Sequence, residues 1–147
     1  MRLMPGTVLV TGANGFVGRA LCNELTQSGV AVRAAVRNAA KGAGLPGPAV
    51  AVGDIGRETD WSHALKGVDA VVHLAARVHV MSETEADPLQ AFRAANVDAT
   101  VSLAKAAART GVKRFVYVSS IKVNGESTTD APFRPDDEPN ASDPYGI

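Results

Sequence analysis

Glycines at 12, 15 and 18 fall within the run VLVTGANGFVG, Val8 to Gly18, and their spacing suggests one kind of chemistry. Val8, Leu9 and Val10 precede them as a strand buried on both faces would. Val17, Leu21 and Leu25 follow at helical spacing, and Gly29 stands where that helix would stop. A glycine turn between strand and helix leaves the first helical amides unpaired at the positive end of the helix dipole, which suits a diphosphate. Gly12 would permit the tight turn, Gly15 the approach of phosphates to the backbone, and Gly18 the close packing of helix on strand. Asn14, Phe16 and Val17 complete the turn and join the glycines as candidate cofactor-binding residues. The spacing GxxGxxG is one residue wider than the standard dinucleotide fingerprint. Its place between a buried strand and an amphipathic helix favours a ligand over a plain turn.

The elements that would position this turn alternate along the chain. Ala31 to Val36 reads as a second strand, followed by a Gly/Pro/Ala-rich connection from Asn38 to Pro48. Ala49 to Val52 is a third strand and Asp60 to Leu65 a short surface helix carrying Trp61 and His63. Val68 to Leu74 is a fourth strand. Asp87-Pro88, with Asp as N-cap and Pro in the first turn, opens a long helix running to Gly111. Arg114 to Ser119 is the fifth strand. An acidic, Pro-rich loop covers Glu126 to Asp143, and Ser142-Asp143-Pro144 reads as one more helix start. Successive βα units imply a parallel, doubly wound α/β sheet, a Rossmann fold with helices on both faces. Ligands of such sheets bind at the carboxyl ends of the strands. The conspicuous polar and glycine positions fall there: the turn of residues 11–18, Arg37, Asp54, residues 73–77, and Ser119-Ser120.

The composition bounds the setting. The chain has 147 residues, 46% of them hydrophobic, and zero formal net charge, which suits one globular domain and gives nucleic acid or an anionic membrane no basic run to hold. The apolar run near the N-terminus is interrupted by Pro5 and Gly6 and does not read as a signal peptide. No apolar stretch approaches the roughly 20 residues of a membrane span. Cys22, a lone cysteine beside the stripe of the first helix, reads as a small buried hydrophobe, and together these features imply a reducing, cytoplasmic location. No Cys/His/carboxylate cluster has metal-ligand spacing. Asn96 lies on one helical face with Phe92, Ala99, Leu103 and Ala107, so its amide must find buried partners, since an unsatisfied one costs roughly 1–3 kcal/mol.

TGANGFVG, Asp54-Ile55, HLAA at 73–76, Asn96 within AANVDAT, VYVSS at 116–120 and DPYG at 143–146 resemble the extended short-chain dehydrogenase/reductase family. More narrowly they resemble its nucleotide-sugar epimerases, dehydratases and 4-ketoreductases. ARVHVM at 76–81 and SSIKVNGE at 119–126 are similar to the branch that modifies UDP-N-acetyl sugars for bacterial surface polysaccharides. The resemblance implies a hydroxyl, a Tyr, and a Lys four residues after the Tyr. Ser120 matches the hydroxyl with Ser119 beside it, and Tyr145 matches the base that exchanges a proton with the sugar oxygen. A free phenol has a pKa near 10, so cations must lower it for work near neutrality. The lysine position would be 149, past Ile147. The chain therefore reads as the N-terminal portion of a longer enzyme, inactive as written, without the last strands and the substrate-binding lobe. Its fifth strand would be an exposed edge or be covered by a partner, and a homodimer is one arrangement the resemblance allows.

The same resemblance gives Asp54 and Ile55 the adenine edge, although an Asp at a strand end also forms turns. It places Leu74, Ala75 and Ala76 where the cofactor backbone passes, and gives Asn96 a part in organising the site. His73 reads as strand-end structure and His79 as facing substrate. At the end of the second strand an acidic residue would select NAD. Here Val36 is followed by Arg37, with Arg33 and Lys41 nearby, so either NAD or NADP fits and Arg37 tilts the choice towards NADP. The implied function is hydride transfer at C4 of a UDP-linked hexose or N-acetylhexose, by an epimerase or a ketoreductase. A dehydratase would want an acid beside Ser120, where Ile121 and Lys122 stand. The rival from another class is an NADP-sensing regulator on the same fold, against which the retained Ser and Tyr argue.

Overall fold

The computed structural model describes residues 6–78 and 86–147. β1 (Thr7–Thr11) runs through the centre of a five-stranded sheet of order β3-β2-β1-β4-β5. Its neighbours are β2 (Ala31–Val36) and β4 (Ala70–His73), with β3 (Ala49–Ala51) and β5 (Arg114–Tyr117) at the edges, and every pairing is parallel. Pleating sends alternate β1 side chains to opposite faces. Leu9 packs with Trp61, Leu65, Val71 and Leu103, under α2 (Ser62–Leu65) and α4 (Ala99–Arg109). Val8 and Val10 pack with Cys22, Val32 and Ala34, and Leu21 and Leu25 of α1 (Phe16–Gln27) close over them. The expected doubly wound arrangement is present, with an apolar core on each side of the sheet.

Away from the ligand edge, Asp69 ties three strand starts together. Its carboxylate accepts from the Thr7 amide and from Lys113 Nζ, each at 3.1 Å, and the Lys113 bond followed by the Thr7 bond holds its pKa below the usual carboxylate value.

Three expectations need correcting. Trp61 does not lie on the surface: it is 2% exposed and the largest fully buried side chain. Asp60 accepts from the Ser62 amide at 2.9 Å, so α2 begins after Trp61 and the indole folds beneath Leu9. The long helix is not uniform. Asp87 does cap it, accepting from Gln90 N at 3.0 Å, but α3 (Pro88–Arg93) passes through a π-helical turn, Ala94–Asp98, before α4. The third correction is length: β3 and β5 end earlier than their apolar runs suggested and β4 is shorter at both ends, although the Val52, Gly53 and Val118 amides still bond to the carbonyls of Val36, Arg37 and His73 at the ends of the neighbouring strands. His79, the end of ARVHVM and the first five residues lie outside the described residues.

Gly18 explains how closely α1 sits on β1. A Cβ there would overlap the Gly12 carbonyl oxygen and come within 2.8 Å of Ala13 Cα. In an open helix Gly→Ala gains about 1 kcal/mol, whereas backbone overlap in a packed site costs about 1–3 kcal/mol or more. Gly18→Ala is therefore expected to lower unfolding stability by about 1 kcal/mol or more, read from Trp61 fluorescence in urea. An unchanged or raised midpoint would show that the turn has slack.

Candidate functional site

Strand order reverses between β1 and β4, since β2 and β3 lie to one side and β4 and β5 to the other. Loops leaving these two strands diverge and open the crevice in which such sheets hold ligands. Gly12 has φ +64°, and a Cβ on it would stand 2.9 Å from the Ala75 amide nitrogen, so the turn after β1 touches the segment after β4. α1 is capped by Gly15 in extended conformation, with no side-chain cap and no acid in its first turn. Its leading amides thus have no side chain competing for them. A glycine cradle beneath an uncapped helix start fits a diphosphate. Asn14 lies half-buried in the turn, while Phe16 (96% exposed) and Val17 stand above it. Arg19, which the sequence reading missed, places its guanidinium on the Asn14 carbonyl at 3.0 Å and brings a cation to the turn.

Beyond β2, Arg37 is not the lone cation the sequence suggested. Its Nε lies 2.7 Å from Asp54 Oδ1, a carboxylate delivered by the end of β3. β2 and β3 are adjacent, and residues 17 apart in sequence meet there; the pair is exposed and adds little stability. Ile55 packs partly into the α2 side of the core, and a hollow beside Asp54 is lined by Val52, Gly56, Arg57 and Thr59.

The segment of residues 74–77, the crest of the site, is held at both ends. Thr11 Oγ1 accepts the Leu74 and Ala75 amides at 3.1 Å each. The Asn96 side chain accepts from Arg77 N at 2.7 Å and donates to Arg77 O at 3.0 Å, so its amide finds the partners its position demanded. The π-helical turn centred on Asn96 adds one residue to the helix at this point, as such turns often do at functional sites. Ala76 is exposed on the crest, while Leu74 packs towards α1. His73 is 1% exposed, confirming it as strand-end structure. Its neighbour Thr100, one turn after Asn96, was not picked out by sequence.

Ser119 and Ser120 follow β5 at the same edge. Ser119 is exposed; Ser120 Oγ accepts from Lys122 N at 3.2 Å and caps the short 3₁₀ turn Ile121–Val123. Tyr145 is half-buried with its ring 6.2 Å from that of Phe92 and tilted to it, and the Arg77 guanidinium lies 5.4 Å from the Phe92 ring centroid, so crest, helix and tyrosine meet at Phe92. Asp143 Oδ1 accepts the Tyr145 and Gly146 amides at 2.8 and 3.1 Å, closing a single turn where the sequence suggested a helix start. Lys122 joins Glu126 at 2.5 Å and Asp143 at 3.6 Å, and the Glu126 hydrogen bond, with Coulombic help, raises its pKa.

A five-stranded parallel sheet with a glycine turn at its switch point defines a dinucleotide-binding α/β fold. The chain belongs to the NAD dependent epimerase/dehydratase family, whose model matches residues 8–147. It is 48% identical over 149 residues, 99% of its length, to a UDP-glucose 4-epimerase of Vibrio cholerae, and spans 44% of that relative. Among solved structures it superposes on a short-chain dehydrogenase/reductase superfamily protein of Agrobacterium tumefaciens with bound NAD. That match has TM-score 0.78 and 35% identity, covering 95% of this chain and 40% of the other. It also superposes on MoeE5 in complex with UDP-glucuronic acid and NAD, with TM-score 0.77 and 36% identity over 96% of this chain and 45% of that one. These neighbours carry NAD, and the tilt towards NADP drawn from Arg37 finds no support. Among the described residues, no helix is long and apolar enough to cross a membrane.

Burial pushes the His73 pKa down from 6.5 to about 4. The ring is neutral when folded and takes up a proton more readily when unfolded, so its contribution is complete above the unfolded value and is lost as pH falls towards the folded one. Unfolding stability should fall by about 2 kcal/mol between pH 7 and pH 5. Urea midpoints across that range check this, and a flat profile would contradict it.

Proposed function

We propose that this chain supplies the dinucleotide-binding portion of an NAD-dependent nucleotide-sugar 4-epimerase, acting on a UDP-linked hexose or N-acetylhexose in the making of surface polysaccharide. The observation that carries this reading is the uncapped α1 start over the Gly12–Gly18 cradle, facing a crest fixed by Thr11 and Asn96. The epimerase relative and the UDP-sugar complex of a structural neighbour support the substrate class.

In this reading Gly12, Gly15 and Gly18, with the amides of Phe16 and Val17, receive the diphosphate, and Asn14 shapes the turn. Asp54 and Ile55 take the adenine edge. Arg37, already bound to Asp54, is the less available to a 2′-phosphate, which favours NAD over NADP. Leu74, Ala75 and Ala76 line the path of the cofactor, with Asn96 fixing the end of that path. Bound nicotinamide would accept a hydride from the sugar carbon and return it. Tyr145 exchanges the proton of the sugar oxygen, and Ser120 donates a hydrogen bond to the same oxygen. For that, Ser120 keeps its hydroxyl proton free for donation while its oxygen caps Lys122 N.

Titration of the chain with NADH and NADPH, followed by Trp61 fluorescence or calorimetry, tests the binding half. NADH should bind at least tenfold more tightly, and Asp54→Asn should narrow that gap by releasing Arg37. Failure of both dinucleotides to bind would end the reading. For the chemistry, a protein of the relatives' length containing this segment should interconvert UDP-hexose C4 epimers without added reductant. Tyr145→Phe there should cut kcat at least a hundredfold. Turnover that requires stoichiometric NADPH would make it a reductase instead.

A further inference from the structure

One hydrogen-bonded chain in this molecule has protons that can be placed by elimination. Thr11 Oγ1 accepts two amides, from Leu74 and Ala75. A hydroxyl oxygen offers two lone pairs, so the Thr11 proton remains for His73 Nδ1, 2.6 Å away. Nδ1 is therefore the bare acceptor of the ring and the neutral ring carries its proton on Nε2. That nitrogen lies 2.9 Å from Thr100 Oγ1 and donates to it. Thr100 in turn donates to the Asn96 carbonyl at 2.7 Å. The two ends of this chain hold the same stretch of backbone: Thr11 holds residues 74 and 75, and the Asn96 side chain holds residue 77.

We infer that His73, locked as its neutral Nε2–H tautomer between Thr11 and Thr100, is a positioning residue that couples the two clamps on the crest, residues 74–77, and so presets the backbone along which a dinucleotide lies. The consequence for binding rests on the function proposed above; the lock itself does not. A second ring proton would set an N–H on Nδ1 against an oxygen whose lone pairs are both taken, so charging the ring must break an amide bond to the crest. Desolvation of the buried ring opposes that charge as well. Phe115 and Tyr117 of β5 flank the ring, at centroid distances of 6.2 and 6.1 Å. Among the described side chains hydrogen-bonded or stacked on it, Thr11, Thr100, Phe115 and Tyr117, only Tyr117 is titratable.

Long-range ¹H–¹⁵N spectra of the histidine rings in the dinucleotide-free chain, from pH 5 to 8, test the lock directly. One unchanging pattern for His73, protonated at Nε2 and bare at Nδ1, is expected. An Nδ1–H tautomer, or a titration centred between pH 6 and 7, would overturn the inference whatever any variant does. Thr100→Val then removes the Nε2 acceptor, a hydroxyl bonded to His73 and Asn96 rather than to the crest. It should speed amide exchange at Leu74, Ala75 and Arg77 at least tenfold and weaken NADH binding about tenfold, with Thr100→Ser restoring both. Unchanged exchange or affinity in a folded Thr100→Val protein would refute the coupling. Wild-type chain that shows the lock but binds no NADH would sink the proposed function and leave the lock standing.

Discussion

The junction at which the turn after β1 meets the peptides after β4 constrains everything else in this molecule. Gly12 must adopt positive φ and must lack a side chain, because Ala75 occupies the space a Cβ would need. Thr11 supplies the polar half of the same junction through its bonds to the Leu74 and Ala75 amides. These amides come from a strand that has just ended, so ladder bonding cannot satisfy them, and an unpaired one would cost roughly 1–3 kcal/mol. One hydroxyl therefore closes the sheet at the point where the topology forces it open. The candidate crevice and this closure coincide, and Thr11 serves both.

That closure explains why polar atoms lie inside an otherwise apolar interior. Among the described residues, Thr11 and His73 are the buried polar side chains, and they are bonded to each other. Each bond in the chain through Thr100 to Asn96 contributes about 1 kcal/mol net if made and costs more if broken. The arrangement consequently favours one geometry more than it favours high stability. The helix accommodates it by its π-helical turn, which lets Asn96 turn its amide onto Arg77 while Phe92, Ala99, Leu103 and Ala107 stay buried.

The sequence made the framework legible because its signals are local. The apolar run of Val8–Val10, the glycine spacing, and the Asp87-Pro88 helix start each lie within a few residues, and β1, α1, β2 and the capped α3 appear where they point. What escaped was set by contacts between distant residues. Trp61 looked like a surface residue because its short helix has little periodicity, and only the packing of Leu9, Leu65 and Leu103 shows the indole buried. Arg37 looked unpaired because its carboxylate partner arrives from the next strand. The polar chain from Thr11 to Asn96 spans 85 positions, and its members, a Thr closing one strand and a His closing another, are individually ordinary. Helical spacing did show that Asn96 needed partners, but not that they would be backbone atoms of residue 77.

The two candidate catalytic side chains are held by different means. Ser120 is fixed by its own capping role at the exit from β5, a local device that any Ser ending such a strand could adopt. Tyr145 is fixed from two directions. Asp143 orders its backbone, and Lys122, two residues after Ser120, reaches Asp143 and Glu126 and ties the tyrosine turn to the serine turn. On its other side the ring meets Phe92, over which Arg77 lies, and Arg77 is the residue whose backbone Asn96 clamps. The tyrosine thus takes its position from the crest as well as from its own loop. A disturbance at the β1–β4 junction would reach it through residue 77, so the crest and the candidate tyrosine share one chain of contacts.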